Sequence, residues 1–435
     1  MNFQPEIERA SEEEILHLQE EKLKSLIQYL SSHSPFYQEL FRKAGVNANE
    51  IQSISDLARI PITSKDDLQE RNWDFLCVPR NEVAEYMSTS GTLGRPVTVA
   101  LTSRDLDRLA YNEALSFACA DGGKEDVYQL MLTLDRQFMA GVAYYHGIRR
   151  LGASVVRVGP GVPAMQLDAI ERVKPTTLVA VPSFLLKLLE YAEEHSINLN
   201  STSVKKAVCI GESLRGADLE FNTIGKRIKE KWNIQLYGTY ASTEMQTAFT
   251  ECSHGVGGHH HPELVIVEVL DDHSNSVVDG QHGEITITTL GVEGMPLLRY
   301  KTGDIATVFR QPCRCGRSTL RLGPVLGRKQ HLIKLKGTTI YPTGIFEILN
   351  EVNLVRDYVV EAYEGEVGTD ELRIHILIDG QNADSIEQKL TAVFQSRLRV
   401  LPELRFVTQH QLELLQMGKG ERKIRRFIDS RKSVT

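Results

Sequence analysis

The sequence has few cysteines, no excess of positive charge and no long apolar run. Its six cysteines are scattered over 435 residues, which excludes the disulfide framework of a small secreted domain and leaves thiols that are free, catalytic or metal-bound. The net charge of −7 and the pI near 6.0 argue against nucleic acid as a general partner. No apolar run approaches the ~20 residues that cross a bilayer, so we expect no membrane partner.

The N-terminal stretch MNFQPEIERASEEEILHLQEEKL is acidic and amphipathic, unlike a signal peptide. Together with the sparse thiols, this feature leads us to expect a cytoplasmic protein. The composition, with 41% hydrophobic and 25% charged residues, is that of a globular chain. The length allows two to three domains.

Periodic sequence predicts the first elements of the fold. Residues 12–45 have apolar positions at helical spacing, and IPITSKDDL at 60–68 predicts a turn in which Thr63 or Ser64 caps a short helix. Between 125 and 245, short apolar runs such as ASVVRVG and TTLVAVP alternate with helical patterns. This alternation predicts βαβ units and a buried parallel sheet.

The pattern changes after residue 264. From 264 to 309, strands follow one another with turns too short for helices, which predicts antiparallel or barrel-like structure. Residues 328–435 mix strands and helices, as in a small α+β domain. We therefore predict an α/β fold. A large N-terminal domain, 1–327, has mostly parallel sheets and a barrel-like part, and a small C-terminal domain spans 328–435.

The stretch Tyr86–Val97, YMSTSGTLGRPV, concentrates hydroxyls and glycines and ends in a cation and a proline. A phosphate loop needs backbone N–H groups that converge on oxygen atoms, with hydroxyls and a cation as further donors. The stretch is not the Walker pattern, because no Gly-Lys-Ser/Thr follows. A surface hairpin turn is the alternative. The candidate phosphate-binding residues are Thr89, Ser90, Gly91, Thr92, Gly94 and Arg95.

TSGTLGRP closely resembles SSGTTGKP, the phosphate loop of adenylate-forming enzymes, which activate a carboxylic acid with ATP and pass the acyl group to a thiol. Further segments resemble motifs of the same family in the same order: CIGESL at 209–214, YASTE at 240–244, LLRYKTGD at 297–304, GRKQHLIKLKGTTIYP at 327–342 and ERKIRRFID at 421–429. IPITSKDDL, YHGIRRLGASVVRVG and CRCGR are typical of the phenylacetate–CoA ligase and aryl–CoA ligase group. The resemblance spans about residues 50–430.

The resemblance implies an ATP-dependent acid–thiol ligase that makes an aryl-CoA from a phenylacetate-like acid, through an acyl-adenylate and with release of pyrophosphate. It also implies Mg²⁺ and a mobile C-terminal lid. A homodimer is the candidate assembly, but the sequence does not give the oligomeric state. Ile210, Ala241 and Gln330 depart from the family motifs. These departures keep open a second interpretation, a non-catalytic nucleotide-binding protein. The chemistry of the family leaves a third one open, adenylation with a non-CoA acceptor such as a carrier protein or a deazaflavin.

The resemblance also assigns nucleotide-binding roles. Tyr240 would flank the adenine, Thr243 would lie beside the α-phosphate, and Glu244 would hold Mg²⁺. Asp304 would accept hydrogen bonds from the ribose hydroxyls. The tetrapeptide YGTY offers a competing register that uses Tyr237 and Gly238. The candidate nucleotide-binding residues outside the loop are Gly211, Glu212, Tyr240, Ala241, Ser242, Thr243, Asp304 and Arg328.

The small domain should supply a catalytic lysine that contacts the acid and the α-phosphate. Alignment with the family motif without a gap selects Lys423, whereas the dipeptide Gly-Lys selects Lys419. After adenylation the lid would rotate and bring Lys336 and Gly337 to the channel of the CoA thiol. The catalytic residues that the resemblance implies are thus Lys423, Glu244 and Thr243.

Aromatic residues near the motif DRQFMAG are candidates for the acid pocket. Phe138, Tyr144 and Tyr145 could pack against an aromatic ring. They could equally be helix core, because their spacing is that of a buried helix face. The sequence does not decide between these two interpretations.

A cluster of cysteines and histidines predicts a metal site. ECSHGVGGHHHPE contributes Cys252, and CRCGR contributes Cys313 and Cys315 as a chelating pair. Three thiolates and one imidazole form a closed tetrahedral Zn²⁺ site, which is structural rather than catalytic. The fourth ligand is His259, which aligns with a histidine common in the family, or His254, which is nearer to Cys252. Unligated thiols at turns are the alternative.

Overall fold

The computed structural model describes residues 3–89, 96–335, 338–352, 354–365, 370–378, 383–398, 401–417 and 425–431. The chain forms two compact units. The larger unit extends to Val325, and the smaller one comprises Leu326–Thr435 together with Gly303–Ile305. In the described part of the chain, no helix has both the length and the apolar character that a membrane span requires.

The predicted helical region near the N-terminus is confirmed. It forms α1 (Glu12–His33) and α2 (Pro35–Ala44), and α1 begins at a capping box of Ser11 and Glu14. A short helix, α3 (Lys65–Glu70), begins at Ser64, whose hydroxyl accepts the N–H of Asp67. Of the two predicted caps, Ser64 is therefore the one the chain uses.

A hairpin and a long helix follow. They are β1 (Val83–Ser88), β2 (Thr98–Thr102) and α4 (Ser103–Cys119). The two strands are antiparallel, with Ser88 opposite Thr98, and form a sheet of their own. Thr102 closes β2 and caps α4, because its hydroxyl accepts the N–H of Asp105.

The predicted alternation of strands and helices is confirmed between 125 and 245. The elements are β3 (Val127–Leu130), α5 (Met139–Leu151), β4 (Ser154–Arg157), α6 (Pro163–Val173), β5 (Thr177–Ala180), α7 (Pro182–Glu194), β6 (Lys206–Cys209), α8 (Thr223–Lys231) and β7 (Gln235–Ser242). The five strands pair in parallel in the order β4-β3-β5-β6-β7.

The parallel strands are buried on both faces, which is why they form continuous apolar runs. On β5, Leu178 and Ala180 belong to the apolar cluster that includes side chains of α7 and α8. Val179, between them, belongs to the cluster that includes side chains of α4 and α5. Successive side chains point to opposite faces of a strand, so this sheet lies between two helical layers.

The antiparallel strands extend the same sheet. They are β8 (Thr247–Glu251), β9 (Gly258–His259), β10 (Val265–Leu270), β11 (His282–Thr289), β12 (Tyr300–Phe309) and β13 (Arg321–Arg328). The whole sheet has eleven strands in the order β10-β11-β12-β13-β9-β8-β7-β6-β5-β3-β4. The predicted barrel-like part is thus, over the described residues, the antiparallel half of a sheet that starts at β10 and ends at β4.

The smaller unit has the predicted α+β composition. Its elements are β14 (Ile333–Leu335), β15 (Thr338–Ile340), α9 (Pro342–Glu351), β16 (Val355–Glu364), β17 (Asp370–Ile378), α10 (Ala383–Arg397), β18 (Glu403–Phe406), α11 (Gln409–Gln416) and β19 (Phe427–Asp429). Four strands form a mixed sheet in the order β18-β17-β16-β19. Ile345, Leu349 and Phe394 pack from α9 and α10 into a core that includes the apolar side chains of β16 and β17.

Candidate functional site

Two predicted nucleotide-binding segments lie at one edge of the parallel sheet. β6 ends at Cys209, two residues before Gly211, and β7 ends at Ser242, directly before Thr243. β6 and β7 are parallel neighbours, with Cys209 opposite Gly238. The carboxyl edge of an open parallel sheet is where α/β proteins bind ligands. The fold therefore brings both motifs to an edge suited to a nucleotide.

The turn after β6 is fixed by its backbone and by a carboxylate. Gly211 has a φ of +74°, a left-handed conformation that favours glycine. Both oxygens of Glu212 accept hydrogen bonds from Ser183 at the start of α7, from its N–H at 3.0 Å and its hydroxyl at 2.9 Å. Ile210, where the family motif has glycine, is buried and extends the β6 ladder to Ala180. The departure at Ile210 is thus accommodated by the core.

The two tyrosines of YGTY have different environments. Tyr237 is buried, and its hydroxyl donates to Asp121 at 2.8 Å. Tyr240 is half-buried, and its ring centroid lies 6.0 Å from that of Phe249 on the paired strand β8. Tyr240 therefore presents the ring that a ligand can reach, and its neighbour Ala241 is exposed while Ser242 is half-buried.

Glu244 has a cationic neighbour that the motif comparison did not identify. Its Oε1 lies 3.6 Å from Nζ of Lys65, and both side chains are partly exposed. Lys65 belongs to IPITSKDDL. This segment is typical of the ligase group that the sequence resembles, but the resemblance assigned none of its residues to the site. The signal that could have identified it is a lone lysine directly after a capped turn in a characteristic motif.

Asp304 and Arg328 form an ion pair within the smaller unit. Arg328 Nε donates to Asp304 Oδ1 at 3.1 Å. The Asp304 side chain is 10% exposed and that of Arg328 is 43% exposed, so the carboxylate is the more enclosed partner. Gln330, which departs from the family motif, lies in a 3₁₀ turn, where its carbonyl accepts a hydrogen bond from Arg431.

The candidate phosphate loop joins β1 and β2. Thr89 lies at its base, where the Thr89 hydroxyl accepts the N–H of Val97 and the Thr89 N–H donates to the Val97 carbonyl, both at 3.0 Å. Asn72 holds the other side through both backbone groups of Thr98. The two ends of the loop are thus fixed. The other predicted loop residues lie outside the described residues: Ser90, Gly91, Thr92, Gly94 and Arg95.

Four further predicted residues also lie outside the described residues: Lys336, Gly337, Lys419 and Lys423. Among the aromatic candidates, Tyr144 is core, because it is buried with its ring 5.8 Å from that of Phe117. Phe138 and Tyr145 are half-buried. The guanidinium carbon of Arg157 lies over the Tyr145 ring, 5.4 Å from the ring centroid.

The sheet brings together four of the predicted metal ligands. Cys252 follows β8, His259 lies on the paired strand β9, and Cys313 and Cys315 lie in the turn between β12 and β13. Their donor atoms all lie within 4.8 Å of one another. Within the described part of the chain, His254 is not in this group.

The separations in this cluster fit a tetrahedral metal ion. Ligands about 2.3 Å from a tetrahedral centre are roughly 3.8 Å apart. The sulfurs of Cys252 and Cys313 are 3.7 Å apart, and Cys315 Sγ lies 3.5 Å from His259 Nε2. Burial would raise the pKa of Cys315, but hydrogen bonds with His259 and Arg317 outweigh it and lower that pKa to about 5. The cluster thus favours the thiolate that binds metal.

A buried acid supports the cluster from the N-terminal segment. Glu8 accepts a hydrogen bond from Arg317 Nε at 2.6 Å and contacts His261 Nδ1 at 2.5 Å. Arg317 in turn points its Nη1 at Cys315 Sγ, 3.6 Å away. The remaining histidine of the run, His260, is buried and contacts the Val265 carbonyl. The three consecutive histidines therefore have separate buried partners.

Comparisons with known proteins follow this geometry. Residues 9–294 match the family described as AMP-binding enzyme. A phenylacetate–coenzyme A ligase of Thermus thermophilus is 32% identical over 383 residues, which cover 86% of this chain and 84% of that protein. A phenylacetate–coenzyme A ligase of Escherichia coli is 27% identical over 409 residues, with coverage of 92% and 89%. The crystal structure of a 2-hydroxyisobutyryl-CoA ligase in its postadenylation state has the same fold, with a TM-score of 0.85, 24% identity and coverage of 98% and 92%.

Proposed function

The chain belongs to the AMP-binding enzyme family, and we propose how its residues perform the reaction of an acid–CoA ligase. The protein is an ATP-dependent, AMP-forming ligase that joins a carboxylic acid to CoA through an acyl-adenylate. The observation that carries this function is the similarity to phenylacetate–CoA ligases over nearly the whole of both chains. Neither a non-CoA acceptor nor a non-catalytic role is favoured by these relatives.

The acid is proposed to be aromatic and phenylacetate-like. Two half-buried aromatic residues support this assignment, Phe138 directly before α5 and Tyr145 in the middle of it, because aromatic side chains pack well on rings. Tyr144, which is part of the helix core, is left out of the pocket. The names of the relatives favour the same class of acid.

In the first step, a carboxylate oxygen of the acid attacks the α-phosphorus of ATP. The bond from that phosphorus to the bridging oxygen breaks, and pyrophosphate leaves. Thr243 would donate to the α-phosphate, and Lys423 would contact both the acid and the α-phosphate. A preorganised donor of this kind stabilises the charge that develops in the transition state. The loop at 89–95 would hold the leaving phosphates through Thr89, Ser90, Gly91, Thr92, Gly94 and Arg95.

Residues of separate sequence motifs are proposed to hold the adenosine. Tyr240 would flank the adenine, beside the turn of Gly211 and Glu212. Asp304 would accept hydrogen bonds from the ribose diol, and Arg328, now paired with it at 3.1 Å, would share that contact. A carboxylate has two acceptor oxygens, which suits it to the two hydroxyls of a diol. Ala241 and Ser242 complete the proposed binding segment.

Glu244 is the proposed ligand of Mg²⁺. A partly exposed carboxylate at the carboxyl edge of the sheet suits a hard cation, which prefers carboxylate and phosphate oxygens. Bound Mg²⁺ would neutralise charge on the phosphates of ATP. The chain's own contribution is to place Glu244 directly after β7, beside the proposed phosphate contact of Thr243.

In the second step, the CoA thiol attacks the acyl carbon, and AMP leaves as the acyl–oxygen bond breaks. We propose that residues 1–327 form the adenylation domain and 328–435 a mobile lid. Rotation of the lid would remove Lys423 and bring Lys336 and Gly337 to the thiol channel. A lid motion of this kind also limits water access to the adenylate.

Cys252, His259, Cys313 and Cys315 are proposed to hold a structural Zn²⁺. The donor set and the 3.7 Å and 3.5 Å separations support zinc, and four protein ligands would leave no open position for catalysis. The six thiols are all free of disulfides, which supports the proposed cytoplasmic location. A homodimer remains the proposed assembly, which light scattering of the purified chain would test.

The test of the function is pyrophosphate release from ATP with a panel of aryl and alkyl acids, with and without CoA. We expect adenylation with an aryl acid and thioester formation only when CoA is present. A preference for short alkyl acids would contradict the aromatic assignment alone. Adenylate that forms but is never transferred to CoA would instead contradict the acceptor.

A further inference from the structure

We infer that Lys65 is a catalytic residue of the adenylation step and that it binds the phosphates of ATP beside the proposed metal ligand Glu244. The inference rests on the proposed function, in which Lys65 has no assigned role. Its starting point is the 3.6 Å separation of Lys65 Nζ and Glu244 Oε1. These residues are far apart in sequence and are joined only by the fold.

The backbone fixes the position of Lys65 from the preceding residues. Thr63 forms a parallel bridge with Tyr300, in which its N–H donates to the Arg299 carbonyl at 3.0 Å and its carbonyl accepts the Lys301 N–H at 2.9 Å. Ser64 then caps α3 in a capping box with Asp67. Lys65 is therefore the first residue after a tightly held turn, and only its side chain is free to move.

The same backbone bridge connects Lys65 to a predicted nucleotide motif. Tyr300 and Lys301 belong to LLRYKTGD, the segment that leads to Asp304. The carboxylate that Lys65 contacts, Glu244, belongs to a second such segment, YASTE. Lys65 thus lies between two segments proposed to bind one nucleotide, which a lysine with a purely structural role has no reason to do.

The distances place Lys65 within reach of metal-bound phosphate. Mg²⁺ binds a carboxylate oxygen at about 2.1 Å. Nζ lies 3.6 Å from the same oxygen, so an ion on Glu244 Oε1 would be within about 5.7 Å of it. Phosphate groups bound to an ion on Glu244 would therefore be within reach of Lys65.

The charges predict an exchange of partners. Before nucleotide binds, Lys65 neutralises Glu244. If Glu244 held Mg²⁺, Lys65 would no longer be neutralised by that carboxylate, and the phosphates of ATP would supply the negative charge instead. Lysine suits this contact, because its ammonium is a compact point charge on a flexible stem and a common phosphate ligand.

This role belongs to the first half-reaction. Lys65 would stabilise the charge that collects on the bridging oxygen and on pyrophosphate as the bond to the α-phosphorus breaks. Pyrophosphate has left before the thiol attacks the acyl-adenylate, so the second half-reaction should need Lys65 far less. A residue that only supports the fold would affect both half-reactions alike.

The experiment measures the two half-reactions separately in full-length Lys65→Met and Lys65→Arg variants. Adenylation is followed by pyrophosphate release in single turnover, and thioester formation is followed from supplied acyl-adenylate and CoA. We expect Lys65→Met to slow adenylation by roughly 10²-fold, as for loss of one preorganised donor. Thioester formation should change by less than about threefold, and Lys65→Arg should recover most of the adenylation rate, because its cation is kept.

The matched control is Lys206→Met. Lys206 also pairs with a carboxylate, Asp126, at 2.9 Å, and is likewise mostly enclosed. It is the first residue of β6 and thus lies at the opposite edge of the sheet from Gly211 and Glu212. We expect the adenylation rate of Lys206→Met to match that of the wild type.

Equal loss of both half-reactions in Lys65→Met, or no loss in either, would overturn the inference. Binding of MgATP, measured by calorimetry, keeps the test separate from the proposed function. If the wild type binds MgATP but adenylates no acid, the proposed function fails. The inference then depends on affinity alone: weaker MgATP binding by Lys65→Met supports it, and unchanged binding rejects it.

Discussion

The sulfur atoms of Cys252 and Cys313 lie 3.7 Å apart, the separation of two ligands on one tetrahedral ion and far beyond the ~2.05 Å of a disulfide. Cys315 and His259 complete the group with a second short contact of 3.5 Å. Strand pairing produces this arrangement, because β8, β9 and β13 are hydrogen-bonded neighbours. The cluster therefore forms with the sheet itself, at the point where its antiparallel half joins its parallel half.

The purified chain should carry about one zinc ion, measured by elemental analysis. His259→Ala and Cys313→Ser should reduce the zinc content to near zero and lower the melting temperature, because the metal joins a strand end to a distant turn. His254→Ala is the matched control, a neighbouring histidine that should keep the metal. Loss of zinc in His254→Ala, with zinc retained in His259→Ala, would reverse the ligand assignment.

Asp304→Ala should reduce kcat/KM for ATP by about 10- to 100-fold, because hydrogen bonds to a charged group contribute about 1.5–3 kcal/mol. Steady-state kinetics with varied ATP measures the change. The KM for CoA should stay near the wild-type value, since the ribose of ATP is the proposed partner of Asp304. A variant that loses affinity for CoA but not for ATP would contradict the ribose assignment.

Lys423→Ala should slow adenylation by about 10²- to 10³-fold and leave thioester formation from supplied acyl-adenylate nearly unchanged. Lys419→Ala is the matched variant, four positions earlier in the same basic segment. Single-turnover assays of each half-reaction measure both. If Lys419→Ala shows the selective loss instead, the catalytic lysine is Lys419.

Glu113→Gln should make the stability of the protein less dependent on pH between about pH 4.5 and pH 8. Burial raises the pKa of Glu113 from 4.5 to about 8, so the folded chain keeps a proton that the unfolded chain releases above its ordinary pKa. The contribution of protonated Glu113 to the free energy of unfolding is complete below pH 4.5. It falls by roughly 1.4 kcal/mol per pH unit until about pH 8. Glutamine can still accept the 3.0 Å hydrogen bond from Asn112 without this loss.

Urea denaturation of the wild type and of Glu113→Gln between about pH 5 and pH 8 measures this effect. As the pH rises, the free energy of unfolding of Glu113→Gln should increase relative to that of the wild type. Glu125→Gln, at an exposed carboxylate of the same unit, is the control and should shift nothing. A constant difference between Glu113→Gln and the wild type at all pH values would show that Glu113 titrates normally.

Glu8→Ala should destabilise the larger unit by about 3–5 kcal/mol, because it leaves Arg317 and His261 without their buried acid. Glu6→Ala, two residues earlier on the exposed side of the same turn, should change the free energy of unfolding by less than about 0.5 kcal/mol. Thermal denaturation followed by circular dichroism distinguishes the two. Equal melting temperatures would mean that the N-terminal segment detaches at little cost.

Local sequence predicted the elements that depend on local physics. Helical spacing over 12–45 and the polar cap at Ser64 determine α1, α2 and α3, since capping and amphipathic burial act within a few residues. Apolar runs separated by helices determine the parallel strands, because only such runs can be buried on both faces. The chelating pair Cys313 and Cys315 is also a local feature.

The sequence did not predict which distant strands pair, because strand periodicity does not specify which strands are neighbours. For 264–309 it predicted antiparallel or barrel-like structure, and strand pairing makes that region part of the antiparallel half of one eleven-stranded sheet. Packing also distinguishes Tyr237 from Tyr240, because Tyr237 is buried with its hydroxyl on Asp121 whereas Tyr240 is half-buried. The contact of Tyr240 with the adenine stays a prediction.

The sequence by itself determined the family motifs, their order and the chemical types that bind nucleotide and metal, because these are properties of residue identity and spacing. The tertiary structure alone decided which of them meet. It placed His259 rather than His254 with the three thiols, and it brought Lys65 to Glu244. Both outcomes depend on the register of hydrogen bonds between distant strands and segments, which no local pattern encodes.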